Sequence, residues 1–274
     1  MDLEKRFIAS VAAASKQIGD DGAVIGSTVY SNDAFIEGTH FKRAWMTPRQ
    51  IAYKAFAVNI SDAVAMNAVP RYALLAIGIP SSFTAGEVDA LAAGFVEASA
   101  AFGCELVGGD TVKSDRLIIS LTIVSETRRP LRRSGIKRGD LLAFTGSVGK
   151  AKRELQYLLA GRRAHAQSHY VRPPLRREFI AAAAPYLRAG MDISDGIYTD
   201  LQRLADLNRT GFSFFRPLGK SAGCSGEEYE MLVAFPPRMR KRVEYLARKH
   251  RTPLTVFARA ARTRYKNPCK SHHF

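Results

Sequence analysis

Five short stretches of this sequence set aspartates beside small residues: Gly19-Asp20-Asp21-Gly22, Ser31-Asn32-Asp33, Ser61-Asp62, Gly108-Gly109-Asp110-Thr111 and Asp192-Ile193-Ser194-Asp195-Gly196. Oxygen ligands of this kind suit Mg²⁺, which is shared between one or two carboxylates and substrate phosphates. Several converging carboxylates can hold more than one ion against a polyphosphate. An aspartate in a turn caps a helix or forms an Asx-turn more often than it binds metal, so Asp195 equally reads as the cap of the helix after it. Asp62 differs, because it falls inside a predicted helix, where Asp has poor propensity. Two glycine turns offer bare backbone N–H groups that can cradle phosphate: Gly108-Gly109 after a strand, and Thr145-Gly146-Ser147-Val148-Gly149 between a strand and a helix. Neither has Walker spacing. No Ser-His-Asp or Cys-His arrangement can be picked out, and His40 stands alone just after a strand.

Regular elements must bring these stretches together. Residues 5–18 predict a helix, broken at Gly19-Asp20-Asp21-Gly22. Strand-like segments follow at Ala23–Ile25 and Thr28–Ile36. Thr47-Pro48 supplies a cap and a first-turn proline for a helix to about Ala68. Tyr72–Ile79 reads as a buried strand, and Thr84-x-x-Glu87 is a capping box for a helix to about Phe102. Glu105–Val107 and Leu117–Val124 read as strands. The polar, basic segment 126–139 is the candidate junction between two domains, 1–130 and 131–274. Beyond it come a strand at Leu141–Thr145, helices near 150–160 and 174–188, a short strand into Asp192 and a helix over 196–207. A strand at Glu228–Phe235, a helix over 237–250 and a strand over 253–260 complete the series. Strands and helices alternate in both halves, which predicts two α/β domains.

The chain has 274 residues and 46% hydrophobic content, enough for a packed core. No apolar run approaches the roughly 18 residues of a membrane helix, and the charged start reads as no signal peptide. Cys104, Cys224 and Cys269 are odd in number and widely spaced, fitting neither a disulfide framework nor a zinc site, so a reduced cytoplasm is expected. Lys and Arg outnumber Asp and Glu by 41 to 25, a net charge of +16 that suits an anionic partner. The basic residues are dispersed, without zinc-finger spacing or an aromatic-flanked RNA motif, so a solvated basic face and steering of a phosphate substrate compete with nucleic-acid binding.

Taken in order, these motifs closely resemble the thiamine-monophosphate kinase family, of the aminoimidazole ribonucleotide synthetase superfamily. The resemblance runs through Gly19–Ile25, Ser31-Asn32-Asp33-x-x-x-Glu37-Gly38-x-His40-Phe41, Asn59-Ile60-Ser61-Asp62-x-x-Ala65-Met66, Gly108–Thr111, Arg133-Ser134-Gly135, Thr145-Gly146, Asp192–Gly196 and Gly226-Glu227-Glu228-Tyr229-Glu230. It implies an ATP-dependent, Mg²⁺-assisted transfer of the γ-phosphoryl group directly to thiamine phosphate, without a phosphoenzyme. It implies metal ligation by Asp20, Asp21, Asp33, Asp62, Asp110, Asp192 and Asp195, with Ser31 and Asn32 flanking. Gly109, Arg133 and Ser194 would contact ATP, and His40 and Glu227 the thiamine phosphate. The implied fold is two-domain, α/β of the α+β kind. Its N-terminal mixed sheet pairs with a twin in a homodimer, and a C-terminal α/β domain closes the cleft.

The sequence departs from the family at Asn32 (usually Thr), Glu228 (usually Asp) and Ser225 (often Gly). The ending Lys270–Phe274 lacks the usual glycine and second aromatic. Phe274 is expected either to fold back over the cationic thiamine ring or to belong to a frayed tail. The alternatives are another ATP-dependent enzyme of the superfamily or a basic nucleic-acid-binding protein on a degenerate kinase fold. A carbamoyl-dehydrating member would end in cysteine, and a selenophosphate synthetase would carry a reactive cysteine near its start. This sequence has neither.

Overall fold

The computed structural model describes residues 3–15 and 17–270; Phe274 lies outside them. Helix α1 (Leu3–Ala12) is followed by strands β1 (Ala23–Ile25) and β2 (Thr28–Ile36). Thr47 and Gln50 then exchange backbone and side-chain hydrogen bonds, and this reciprocal cap starts helix α2 (Pro48–Ala65). The same device, from Thr84 and Glu87, starts α3 (Ala85–Phe102) after strand β3 (Val69–Pro80). Gly94 allows α3 to lie close on α2, since a Cβ there would stand 2.4 Å from the Arg49 carbonyl.

With β4 (Glu105–Ser114) and β5 (Ile118–Glu126), these strands form a mixed sheet in the order β1-β2-β5-β3-β4. Only β3 and β4 run parallel, joined by α3. Side chains alternate across the pleat. Ile119, Leu121 and Ile123 are buried in the core shared with α2, whereas Tyr30, Tyr72, Leu74, Val112 and Ile118 stand exposed on the opposite side.

The second sheet is antiparallel throughout, in the order β7-β9-β6-β10-β8. Its strands are β6 (Leu141–Thr145), β7 (Ala189–Asp192), β8 (Gly211–Phe214), β9 (Met231–Phe235) and β10 (Leu254–Ala261). Helices α4 (Lys150–Leu159), α5 (Arg177–Ala183), α6 (Ile197–Asn208), α7 (Lys220–Gly223) and α8 (Arg240–Lys249) surround it. One face packs Leu142, Phe144 and Leu232 with Leu201 and Leu204 of α6. The other packs Leu141, Val233 and Phe235 with Phe179, Val243 and Leu246, and this core is continuous with that of α2. Helix α2 is therefore enclosed by both halves. Every residue from Ile51 to Ala65 is buried except Asp62.

Several expectations change. Strand β4 continues to Ser114, so Gly108-Gly109-Asp110 lies within an edge strand rather than in a turn after one. The expected helix over 174–188 is the short α5 and a 3₁₀ turn at Ala184–Tyr186, because Pro185 cannot continue the helical ladder. Helix α1 stops at Ala12, and β8 and α7 have no counterpart in the sequence reading. Contrary to the reading of the cysteines as unpaired, Cys224 and Cys269 form a disulfide with Cα atoms 5.7 Å apart. The segment after β10 doubles back over α6: Tyr265 Oη donates to the Tyr198 carbonyl (2.9 Å) and Asn267 N to Gln202 Oε1 (3.0 Å). That return brings together cysteines 45 residues apart. Cys104 is free and buried, and burial pushes its thiol up to about 11.

Candidate active site

The turn before β1 presents Asp20 and Asp21 to two adjacent arginines. Arg132 Nη1 lies 2.9 Å from Asp20 Oδ2, and the Arg133 backbone N–H donates to Asp20 Oδ1 (2.8 Å). The Arg133 guanidinium grips Asp21 Oδ1, with its Nε at 3.2 Å. Asp33 comes from β2 beyond the end of β1, where its backbone N–H donates to Asn59 Oδ1 of α2 (2.9 Å). Asp62 follows on the same helix. Ser61 Oγ donates to Asp192 Oδ2 (2.6 Å), attaching the middle of the chain to the end of β7.

Carboxylate oxygens of Asp21, Asp62 and Asp192 all lie within 4.8 Å of one another. Burial, then the neighbouring carboxylates, pushes Asp62 well above the usual range. Burial and Asp21 raise Asp192 to about 7, against the Ser61 hydrogen bond. Asp33 is exposed in part, yet burial of its carboxyl among the neighbouring elements and the charges of Asp21 and Asp195 bring it to about 6. Burial also raises Asp21, although Arg133 opposes the shift. Asp33, Asp62 and Asp192 remain raised even with Arg133 nearby, so the group has more negative charge than that arginine offsets. Two buried oxygens of this region, Asp21 Oδ2 and Ser31 Oγ, accept or donate no hydrogen bond. An uncompensated acidic cluster with spare oxygens is the donor set of a hard divalent cation.

The other expected residues fall in different places. Asp195 pairs with Arg203, which also bonds Asp200 (2.8 Å). The cap position of α6 is taken by Gly196, one residue after Asp195. Ser194 precedes it, and its carbonyl accepts the Glu227 N–H (2.7 Å). Asn32 points to the open side of the sheet, where its Nδ2 donates to Leu121 O, Thr122 Oγ1 and Ser120 Oγ. Gly109 and Asp110 lie on β4, three strands from β2. At about 4.8 Å per strand spacing this is roughly 14 Å, so a single chain does not gather them with Asp33.

The Gly146–Gly149 turn is not an open phosphate cradle. Its Gly149 N–H donates to Glu228 Oε1 (2.6 Å), and a Cβ on Gly146 would collide with the Glu230 carboxylate. Glu228 also accepts from Ser225 Oγ (2.5 Å) and from the Ala151 N–H (3.3 Å). Glu228, where the family usually has Asp, thus serves the start of α4.

Comparisons with known proteins bear on the family and the fold of this chain. Residues 19–127 match the model of the AIR synthase related protein, N-terminal domain. A thiamine-monophosphate kinase of Leptospira interrogans is 30% identical over 236 residues, covering 78% of this chain and 76% of the relative. The chain belongs to the thiamine-monophosphate kinase family. A relative of the same name from Aquifex aeolicus is 32% identical over 201 residues. The match spans 65% of the Aquifex relative and 59% of one from Mycobacterium tuberculosis, in both cases less than two thirds of the relative's length. The solved structure "AaThiL complexed with AMPPCP and TMP" superposes with a TM-score of 0.84 at 27% identity, covering 95% of this chain and 91% of that one.

The sequence reading missed one feature of this thiamine-monophosphate kinase family member. Lys54 of α2 is wholly buried, with Nζ 2.6 Å from Glu227 Oε2 and 3.1 Å from the centroid of the Tyr170 ring. The signal was available: a single lysine inside the apolar run Ile51–Ile60. Its partners, 116 and 173 residues away, were not legible. Near it, His40 Nδ1 accepts the Ile36 N–H (3.0 Å), and its ring stacks on Phe35 with centroids 5.7 Å apart.

Proposed function

We propose that this chain transfers the γ-phosphoryl group of ATP to thiamine phosphate, giving thiamine diphosphate and ADP. The convergence of Asp21, Asp33, Asp62 and Asp192 beside Arg133 carries this reading. Family membership and the related AMPPCP and TMP complex support both ligands. A nonbridging oxygen of the thiamine phosphate attacks the γ-phosphorus, and the bond to the β–γ bridging oxygen breaks. Both partners are anions, so charge neutralisation and positioning supply the catalysis, and no side-chain nucleophile is needed. The acidic cluster and its unpartnered Asp21 and Ser31 oxygens fit Mg²⁺, which Asp21, Asp33, Asp62 and Asp192 would hold. Bound there, the metal would neutralise charge shared between the two phosphates. Arg133 and Ser194 are assigned to ATP, and His40 and Glu227 to thiamine phosphate.

Residues 1–130 are taken as the ATP, Mg²⁺ and dimerisation half, and 131–274 as the closing half. The open side of the first sheet, with Tyr30, Tyr72, Leu74, Val112 and Ile118, is an apolar patch suited to a second copy. A homodimer built there puts Asp110 and Gly109 at the boundary between chains, where they would serve the partner's nucleotide. ATP supply fits a cytoplasmic enzyme. The test is incubation of purified protein with ATP, Mg²⁺ and thiamine phosphate. Failure to form thiamine diphosphate would refute the assignment.

A further inference from the structure

Lys54 is 0% exposed on a helix that packs on every side. A buried ammonium is costly unless it is paired, and apolar packing alone gives α2 no use for one. Its surroundings connect the two residues assigned to thiamine phosphate. Nζ meets Glu227 Oε2 at 2.6 Å. It also sits on the ring of Tyr170, whose Oη donates to the His40 carbonyl (3.0 Å). Phe35, the ring stacked on His40, lies 5.7 Å from the same Nζ. Burial pulls the lysine's pKa down, and the charge of Glu227 pushes it back.

Glu227 is held in an uncommon backbone state, φ 57°, and its side chain keeps 28% of its surface exposed. A carboxylate in that setting is free to turn if its partner is removed. We infer that Lys54 is a positioning residue for the acceptor substrate, holding the Glu227 side chain aimed into the cleft and, through Tyr170, fixing the turn that carries His40. The acceptor is cationic at its thiazolium ring and donates hydrogen bonds from its aminopyrimidine. A fixed carboxylate with lone pairs left after meeting Lys54 suits both. Lys54 touches neither substrate in this scheme, so its effect should fall on one substrate only.

Since this rests on the function proposed above, the wild-type protein is assayed first, by turnover and by calorimetric titration with thiamine phosphate. If it neither binds nor phosphorylates that compound, the functional reading fails and this inference with it. With an active wild type, Lys54→Met, matched in length, is expected to raise the KM for thiamine phosphate about tenfold while that for ATP stays within about twofold. Glu227→Gln should behave alike, and the double variant should be no more than about twofold worse than Glu227→Gln alone, because both changes break one unit. Unchanged constants, equal rises for both substrates or additive losses would overturn the inference. If Lys54→Met does not fold, Tyr170→Phe decides. It keeps the ring under the ammonium and should raise only the thiamine phosphate KM, by about threefold; an unchanged value overturns the proposal.

Discussion

Ser61 and Asp192 are 131 residues apart in the chain and joined by a 2.6 Å hydrogen bond. The bond ties helix α2 to the end of β7, and it supplies a donor to a buried carboxylate that has several like charges nearby. Ser61→Ala removes that donor without adding bulk. The folded protein should lose about 1–3 kcal/mol, the cost of leaving a buried acceptor unsatisfied. Denaturant titration without metal measures it, and an unchanged midpoint would show that Asp192 is already satisfied elsewhere.

Asp62→Asn should have opposite effects on stability and turnover. In metal-free protein it removes one of the crowded negative charges, so the melting temperature should rise. With ATP, Mg²⁺ and thiamine phosphate, turnover should fall by about a hundredfold or more, since the metal would lose a charged ligand. A variant that is both less stable and fully active contradicts the metal assignment.

The acidic cluster also sets a pH dependence. Asp192 titrates near 7 and Asp33 near 6 in the folded chain, against an ordinary value of 3.8. Between those limits the folded state binds more protons than the unfolded one, so stability decreases as pH rises. Thermal melts in chelator should therefore fall steadily from about pH 4 to pH 7, and excess Mg²⁺ should reverse the trend at the upper end. A flat profile in chelator would mean that the carboxylates are not crowded.

Mixing tests the placement of Asp110. Asp110→Asn and Asp62→Asn chains should each be inactive as homodimers. If Asp110 serves the partner's nucleotide, co-expressed mixed dimers keep one site with both aspartates intact and regain up to about half the activity per mixed dimer. Recovery of that size is possible only when the two residues come from different chains. No recovery would place Asp110 in its own chain's site.

The disulfide predicts a thiol count. Denatured, unreduced protein should release one thiol, that of Cys104, and reduced protein three. Reduction should cost the folded state about 2–4 kcal/mol, read from denaturation curves with and without reductant. Three thiols without reductant would remove the link.

Much of the fold was legible because its signals are local. Thr47-Pro48 and Thr84-x-x-Glu87 mark the starts of α2 and α3, and both caps form. Asp62 stood out because a helix interior is a poor place for it, and it lies in the cluster. Strand facing was less accessible. Ser31, Asn32 and Asp33 are consecutive, but the pleat sends Asn32 to the opposite side of the sheet. Gly146 and Gly149 looked like a phosphate turn because the glutamates that occupy it lie about 80 residues away. Strand β8, Gly211–Phe214, is only four residues long and becomes a strand by pairing with β10.

The pairing of Ser225 with Glu228 bears on how this sequence diverged from its relatives. Both positions depart from the usual family residues, and here the serine hydroxyl donates to the glutamate carboxylate that receives the first N–H groups of α4. The serine hydroxyl also accepts the Lys152 N–H (3.1 Å), so both departures serve the first turn of α4, and exchanging either for the usual residue would leave the other with its backbone partners.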